Sequence, residues 1–312
     1  MAFLHSPAAY LPERIVTNEY LAERVGKTAE WIAQGSGIRE RRWAEGSVAD
    51  LGVVAAQACL SKTGLKPVDI GMLIVSSGSS EHRFPGPAST VAQRLGLPRV
   101  PALDIPIASA GSLFAIVLAD NLAAAYGNIL VVAAEKMSST IDLGDPNTAI
   151  LFGDGAGACL ISPSPGPLRI VDSVLHSDGA AADILQLPHD GPLRMEGLLV
   201  ARHATREIPA SIQEVLARQL KLPAEIGLYV LHQANLNLIV RVARALNLGE
   251  DKFFVNLDRY GNTSSASLLV ALAEAPLPPG PVILAAFGAG LHWGAAYLLH
   301  AGRNGFTAIT PA

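Results

Sequence analysis

The chain of 312 residues has only two cysteines, Cys59 and Cys159, each set among small or apolar neighbours (AAQACL and GAGACL). Two thiols so placed fit core residues of a reducing compartment and speak against a disulfide framework or a cysteine metal site. Charge is scarce too. Only 16% of residues are charged, the net charge is −4 and no long basic run occurs, which argues against nucleic acid and against an anionic membrane surface as partners. Apolar runs such as Ile129–Ala134 fall far short of the ~20 residues of a membrane span. The opening residues, MAFLHSPAAYLPER, carry neither a basic segment nor a long apolar stretch, so no secretory signal is expected. The eight histidines show no HxxxH or Cys/His ligand spacing, so no metal is expected. These shortages together point to a cytoplasmic protein without a metal centre.

What is abundant is small apolar residue. Half of the chain is apolar, much of it Ala, Val and Leu, and 29 glycines with 21 prolines supply turns without any low-complexity tract. Thr28 before Ala29-Glu30-Trp31-Ile32, and Ser47 with Asp50 three residues on, read as helix starts; Gly64 closes the second helix. Met72–Val75, Ile129–Ala134 and Ala158–Ile161 read as buried strands bounded by Gly or Ser. A helix is expected from Ser109 to about Ala125. Ser162-Pro163-Ser164-Pro165-Gly166-Pro167 is the clearest linker, and the order of elements repeats after it. Strands are expected at Leu228–Leu231, Val282–Phe287 and Gly294–His300, with a helix over Thr263–Ala275. Such alternation implies mostly parallel sheets covered by helices, in two similar halves, 1–167 and 168–312. The GDGAGA run of residues 153–158 lacks the Lys-Ser/Thr of a phosphate loop and is expected to be close backbone packing at a turn before a strand.

Several motifs spread along the chain carry a more specific signal. They are Glu30-Trp31-Ile32 followed by Ser36-Gly37-Ile38-Arg39-Glu40-Arg41-Arg42, then Phe84-Pro85, then Phe152-Gly153-Asp154-Gly155-Ala156-Gly157-Ala158. Later come His232-Gln233-Ala234-Asn235, Tyr260-Gly261-Asn262-Thr263-Ser264, and Phe287-Gly288-Ala289-Gly290-Leu291-His292-Trp293-Gly294. In this order and spacing the chain resembles the β-ketoacyl-carrier-protein synthase III family of the thiolase superfamily. The resemblance implies an α/β thiolase fold, two similar halves in a five-layered αβαβα arrangement. It implies an acyltransferase that takes an acyl group from a thioester of coenzyme A or phosphopantetheine on an acyl-carrier protein. The acyl group would then be condensed with a malonyl-type thioester, as in fatty-acid or polyketide biosynthesis, by a homodimer that needs no cofactor.

The resemblance places the family's nucleophilic cysteine at residue 109, and this chain has Ser109 there. It maps the oxyanion donors onto the backbone N–H groups of Ser109 and Ala289, and the pair that hydrogen-bonds the malonyl thioester carbonyl onto His232 and Asn262. A helix N-terminus favours developing negative charge, but a hydroxyl there still needs a general base, for which His232 is the motif's one candidate. Three readings stay open: a natural serine nucleophile, an engineered replacement of cysteine, and a non-acylating partner subunit. Transfer to oxygen or nitrogen is the alternative to condensation, although related acyl-transferring members tend to carry an acid where Asn262 stands. The acyl-donor channel implied by the resemblance includes Thr28, Trp31 and Phe84, with Phe84 reaching across the dimer to the partner's acyl pocket. Gly35, Pro146 and Asn237 stand at three positions that are commonly arginine in the family, which removes much of the cationic grip on donor phosphates. Arg39, Arg41, Arg42, Arg241 and Arg244 are the available substitutes. His292 is expected to pack and not to react.

Overall fold

Capping residues start the first helices as the sequence implies. In the computed structural model, which describes residues 2–300, the Thr28 hydroxyl accepts the Trp31 N–H at 3.1 Å and α1 spans Ala29–Ser36. Ser47 and Asp50 exchange hydrogen bonds in a capping box that opens α2 (Val48–Thr63), and Gly64 closes it at φ 73°, a left-handed position that glycine reaches without strain. The remaining helices used below are α3 (Pro87–Leu95), α4 (Gly111–Tyr126), α5 (Gly197–Arg218), α6 (Leu236–Ala245) and α7 (Ser267–Glu274).

Ten strands form the main sheet. The first five are β1 (Phe3–Tyr10), β2 (Met72–Ser76), β3 (Ala102–Ile105), β4 (Ile129–Lys136) and β5 (Asp154–Ser162). The second five are β6 (Leu168–Ser177), β7 (Leu228–Leu231), β8 (Phe253–Phe254), β9 (Gly280–Gly288) and β10 (His292–His300). Their spatial order is β3-β2-β4-β5-β1, then β6-β10-β9-β7-β8, so the same path is traced on each side of the Ser162–Pro167 linker. Among the described residues the two sets pair at Phe3–Arg169 and Leu4–Leu168, beside a hydrogen bond from Ile170 N–H to Ala2 O at 3.0 Å.

Within each set two strand pairs are parallel and two are antiparallel. The mostly parallel sheet expected from strand–helix alternation is therefore a mixed one. β4–β5 and β9–β10 are consecutive antiparallel strands with no α-helix between them, a connection that alternation alone does not reveal. The GDGAGA run is also not a turn: from Asp154 it is the first part of β5. The close packing does hold, since a Cβ on Gly157 would lie 2.5 Å from Leu269 Cβ.

Helix composition decides the layers. α4 (GSLFAIVLADNLAAAY) is apolar on nearly every side, and every residue of α7 from Ser267 to Leu272 is buried. A helix without a polar face must be covered all round. Both lie between the two sets of strands, in one cluster that joins Leu113, Ile116 and Leu269 to Ile74 and Val131 on one side and to Val230 and Leu284 on the other. α2 and α3 cover the outer face of the first set, through Leu51, Ala55 and Val91. On the outer face of the second, α5 and α6 each bury a single stripe, Ile208, Ile212 and Val215 on α5, Ile239 and Val242 on α6. The result is the five-layered αβαβα arrangement. No helix among the described residues is long and apolar enough to cross a membrane.

Candidate active site

Ser109, His232, Asn262 and Ala289 all lie beyond the carboxyl ends of strands. Ser109 is on the connection from β3 to α4, and Asn262 is on the corresponding connection from β8 to α7; His232 follows β7 and Ala289 follows β9. In α/β proteins this edge is where loops converge on ligands. The helix expected from Ser109 begins at Gly111 instead, and Ser109 precedes it with φ 61°. A serine in this left-handed conformation is strained unless neighbours hold it. Two contacts do so. Gly288 presses against the turn so closely that an added Cβ would sit 2.2 Å from Ala108 O and 3.0 Å from Ser109 Cβ. The Ser109 N–H also donates to the Ser264 hydroxyl at 3.0 Å.

That second contact bears on the oxyanion donors. The Ser109 N–H is engaged by the Ser264 hydroxyl in this structure. The Ala289 N–H has no hydrogen-bond acceptor among the described residues, and Ala289 lines the same small cavity as Ser109 and Ser264. Gly78, Met137 and Phe152 line it too, together with Leu185, Leu187 and Leu193 from the two-stranded ribbon around residues 185–195.

His232 and Asn262 are 6% and 5% exposed. Asn262 is fixed by backbone bonds to Leu151 and Gly153, and its Oδ1 accepts the Ser264 N–H at 2.8 Å. Because the carbonyl end of the amide is committed, the Nδ2 end faces out as a donor, and it has no acceptor among the described residues. His232 is held by its own N–H on Ala285 O at 2.9 Å, and its Nδ1 meets the Ser267 hydroxyl at 2.5 Å. Its Nε2 has no partner among the described residues. Burial pushes the imidazole pKa down to about 3, so the ring is neutral near pH 7. No hydrogen bond joins His232 to Ser109 among the described residues.

The segment Asn262–Ser267 ties these groups together. Ser264 holds Ser109, Ser267 holds His232, and Ser265 donates through both its N–H and its hydroxyl to the Glu135 carboxylate. Glu135 is fully buried and also accepts from Gly78 N–H at 3.0 Å and from the Ser79 hydroxyl at 2.5 Å. Ser265, Ser267 and Glu135 were not singled out from the sequence, and Ser264 only as the last residue of the motif that begins at Tyr260. Glu135 left a signal there, as a carboxylate continuing an apolar strand run; the serines left only a small polar cluster after Asn262.

A sequence profile described as "3-Oxoacyl-[acyl-carrier-protein (ACP)] synthase III" matches residues 103–179, and its C-terminal counterpart matches residues 216–299. The β-ketoacyl-[acyl-carrier-protein] synthase III of Pectobacterium atrosepticum is 41% identical over 305 residues, covering 92% of this chain and 96% of that protein. The chain belongs to the 3-oxoacyl-[acyl-carrier-protein] synthase III family. The crystal structure of the Aquifex aeolicus synthase III superposes with a TM-score of 0.93 at 34% identity, covering 96% of this chain and 100% of that one. The priming β-ketosynthase of the R1128 polyketide pathway gives 0.88 at 31% identity, covering 96% of each chain. The fold is thus the thiolase fold of synthase III enzymes.

The donor-channel and arginine positions that the resemblance singled out do not line the Ser109 cavity. Thr28 is the cap of α1. Trp31 is 43% exposed, with Lys27 Nζ 5.1 Å from its ring centre. Phe84 is 86% exposed and does not line the Ser109 cavity of its own chain. At a position where the resemblance leads one to expect arginine, Asn237 Nδ2 donates to Gly35 O at 3.0 Å and to Gln34 O at 3.3 Å, clamping the end of α1 to the start of α6. Arg41 is fully buried and donates to Val16 O, Ile150 O and Asn18 Oδ1, so it is no substitute for those arginines. His292 packs edge-on against Phe114 and bonds Ser177. Cys59 and Cys159 are buried free thiols; burial pushes Cys59 up to about 12 and Cys159 well above the usual range. Among the described residues no cluster of His, Cys, Asp or Glu could hold a metal ion.

Proposed function

We propose that the chain is an acyl-transferring condensing enzyme in which His232 Nε2–H and Asn262 Nδ2–H hold the carbonyl of a malonyl-type thioester. The observation that carries this reading is that one short segment anchors both nearly buried side chains, His232 through Ser267 and Asn262 through the Ser264 N–H, and leaves one nitrogen of each without a partner among the described residues. Loss of carbon dioxide from a malonyl thioester develops charge on that carbonyl oxygen, and fixed donors in a dry site stabilise it. Ser109 is the acyl acceptor in this reading: its Oγ–acyl bond forms as the C–S bond of the thioester breaks, its proton leaves on the departing thiol, and the Ala289 N–H is the free donor to the tetrahedral intermediate. The acyl group arrives as a thioester of coenzyme A or of an acyl-carrier protein, and the product is the 3-oxoacyl thioester of fatty-acid or polyketide synthesis. The halves 1–167 and 168–312 are the repeat units of the fold, a division supported by their identical strand order.

The enzyme is cytoplasmic and works as a homodimer in this reading. The exposed edge strand β3 and the exposed Phe84 support the dimer. The decisive experiment incubates the chain with an acyl thioester and a malonyl thioester and looks for the 3-oxoacyl product, with intact-protein mass spectrometry to detect one acyl group on Ser109. Product without any labelling of Ser109, or neither product nor carbon dioxide, would overturn the assignment.

A further inference from the structure

The inner nitrogen of the His232 ring meets a residue outside the reacting set. The Ser267 hydroxyl, 1% exposed, makes two hydrogen bonds among the described residues: it accepts the Gln233 N–H at 3.1 Å and meets His232 Nδ1. A hydroxyl has one proton and two lone pairs. If Nδ1 carried a hydrogen, Ser267 would accept twice and its own buried proton would have no acceptor, an arrangement that folded proteins avoid. If Nδ1 is bare, Ser267 accepts from Gln233 and donates to His232, and every group is satisfied. The ring is neutral near pH 7, so its single hydrogen then sits on Nε2.

We infer that Ser267 is a positioning residue that fixes His232 as an Nε2–H donor. Two consequences follow. The imidazole presents a hydrogen toward the site, as the carbonyl-holding role above requires, and this consequence for turnover rests on that functional reading. The same hydrogen stops Nε2 from accepting the proton of Ser109, so the serine has no base in His232. The device depends on helix position as well as on residue type: Ser267 is the first residue of α7, beside the end of β7, where its side chain reaches both the His232 ring and the next backbone N–H.

Nitrogen-15 NMR on histidine-labelled full-length protein tests this directly, with His232 assigned by the resonance lost in His232→Gln. The expected spectrum has a protonated, pyrrole-type Nε2 and a bare Nδ1. A wild-type ring protonated on Nδ1 would overturn the inference, whatever the activity. In Ser267→Ala the signals should move toward a tautomer mixture. Carbon dioxide release from a malonyl thioester should fall ~10-fold or more with little change in KM, a loss of about 1.4 kcal/mol of transition-state stabilisation. An unchanged tautomer with unchanged release in Ser267→Ala would also refute it. An Nε2–H ring in a protein that releases no carbon dioxide would keep the positioning role and remove the functional reading, so the two failures are separable.

Discussion

Asn262→Asp separates a catalytic donor from a loop support, because the two ends of this amide do different work. Oδ1 accepts the Ser264 N–H at 2.8 Å, and a carboxylate oxygen in the same place keeps that bond. Nδ2, the free donor, becomes an acceptor of like charge to the enolate that decarboxylation forms. Losing one fixed donor of this kind costs about 2.7–4 kcal/mol of transition-state stabilisation, ~10²–10³ in rate, and repulsion adds to the loss. Asn262→Ala provides the contrast, since it also strands the Ser264 N–H, at ~1–3 kcal/mol of folding stability. Ser264 in turn anchors Ser109, so the alanine variant should loosen the nucleophile turn as well. The assay is carbon dioxide release from a carboxyl-labelled malonyl thioester, with thermal melts run in parallel. An aspartate variant that releases carbon dioxide within about twofold of wild type, a difference under ~0.4 kcal/mol, would show that Asn262 supports only its loop.

Three further outcomes are expected. Ser109→Cys should raise condensation turnover at least ~10-fold, about 1.4 kcal/mol, since a thiol beside a helix N-terminus ionises without the base that Ser109 lacks; equal or lower product formation would favour a site rebuilt around oxygen. His232, with a folded pKa near 3 and an unfolded one near 6.5, binds a proton only in the unfolded chain between those values. Stability that is complete above pH 6.5 should therefore fall as the pH drops, by up to ~1.4 kcal/mol per pH unit. Urea midpoints of wild type and His232→Gln should diverge below pH 6.5, and parallel profiles would contradict this. Gly157→Ala should destabilise by ~1–3 kcal/mol, because the new methyl meets Leu269 Cβ at 2.5 Å inside the central layer; a calorimetric melt unchanged from wild type would refute the packing.

Much of the site was legible in the sequence because it is carried by residue type at fixed spacing. His232, Asn262 and Ala289 are named by their motifs, and Ser109 is conspicuous as the one residue out of pattern. Helix starts at Thr28 and Ser47 were legible because a cap is a contact between residues three apart. The central layer was present as two stretches, α4 and α7, with no polar face to offer water. What stayed hidden depends on residues brought together from far along the chain. Ser264 meets Ser109 across 155 positions and Ser265 meets Glu135 across 130. The sheet mixes parallel and antiparallel pairs because the chain reverses between β4 and β5 and between β9 and β10 without an intervening α-helix, and apolar strand runs read alike in either direction. The sequence by itself therefore determined the family, the layers and the chemical groups of the site. Only the tertiary structure decided which donors are free, since a hydrogen bond that occupies an N–H or fixes an imidazole proton exists only once its distant partner is in place.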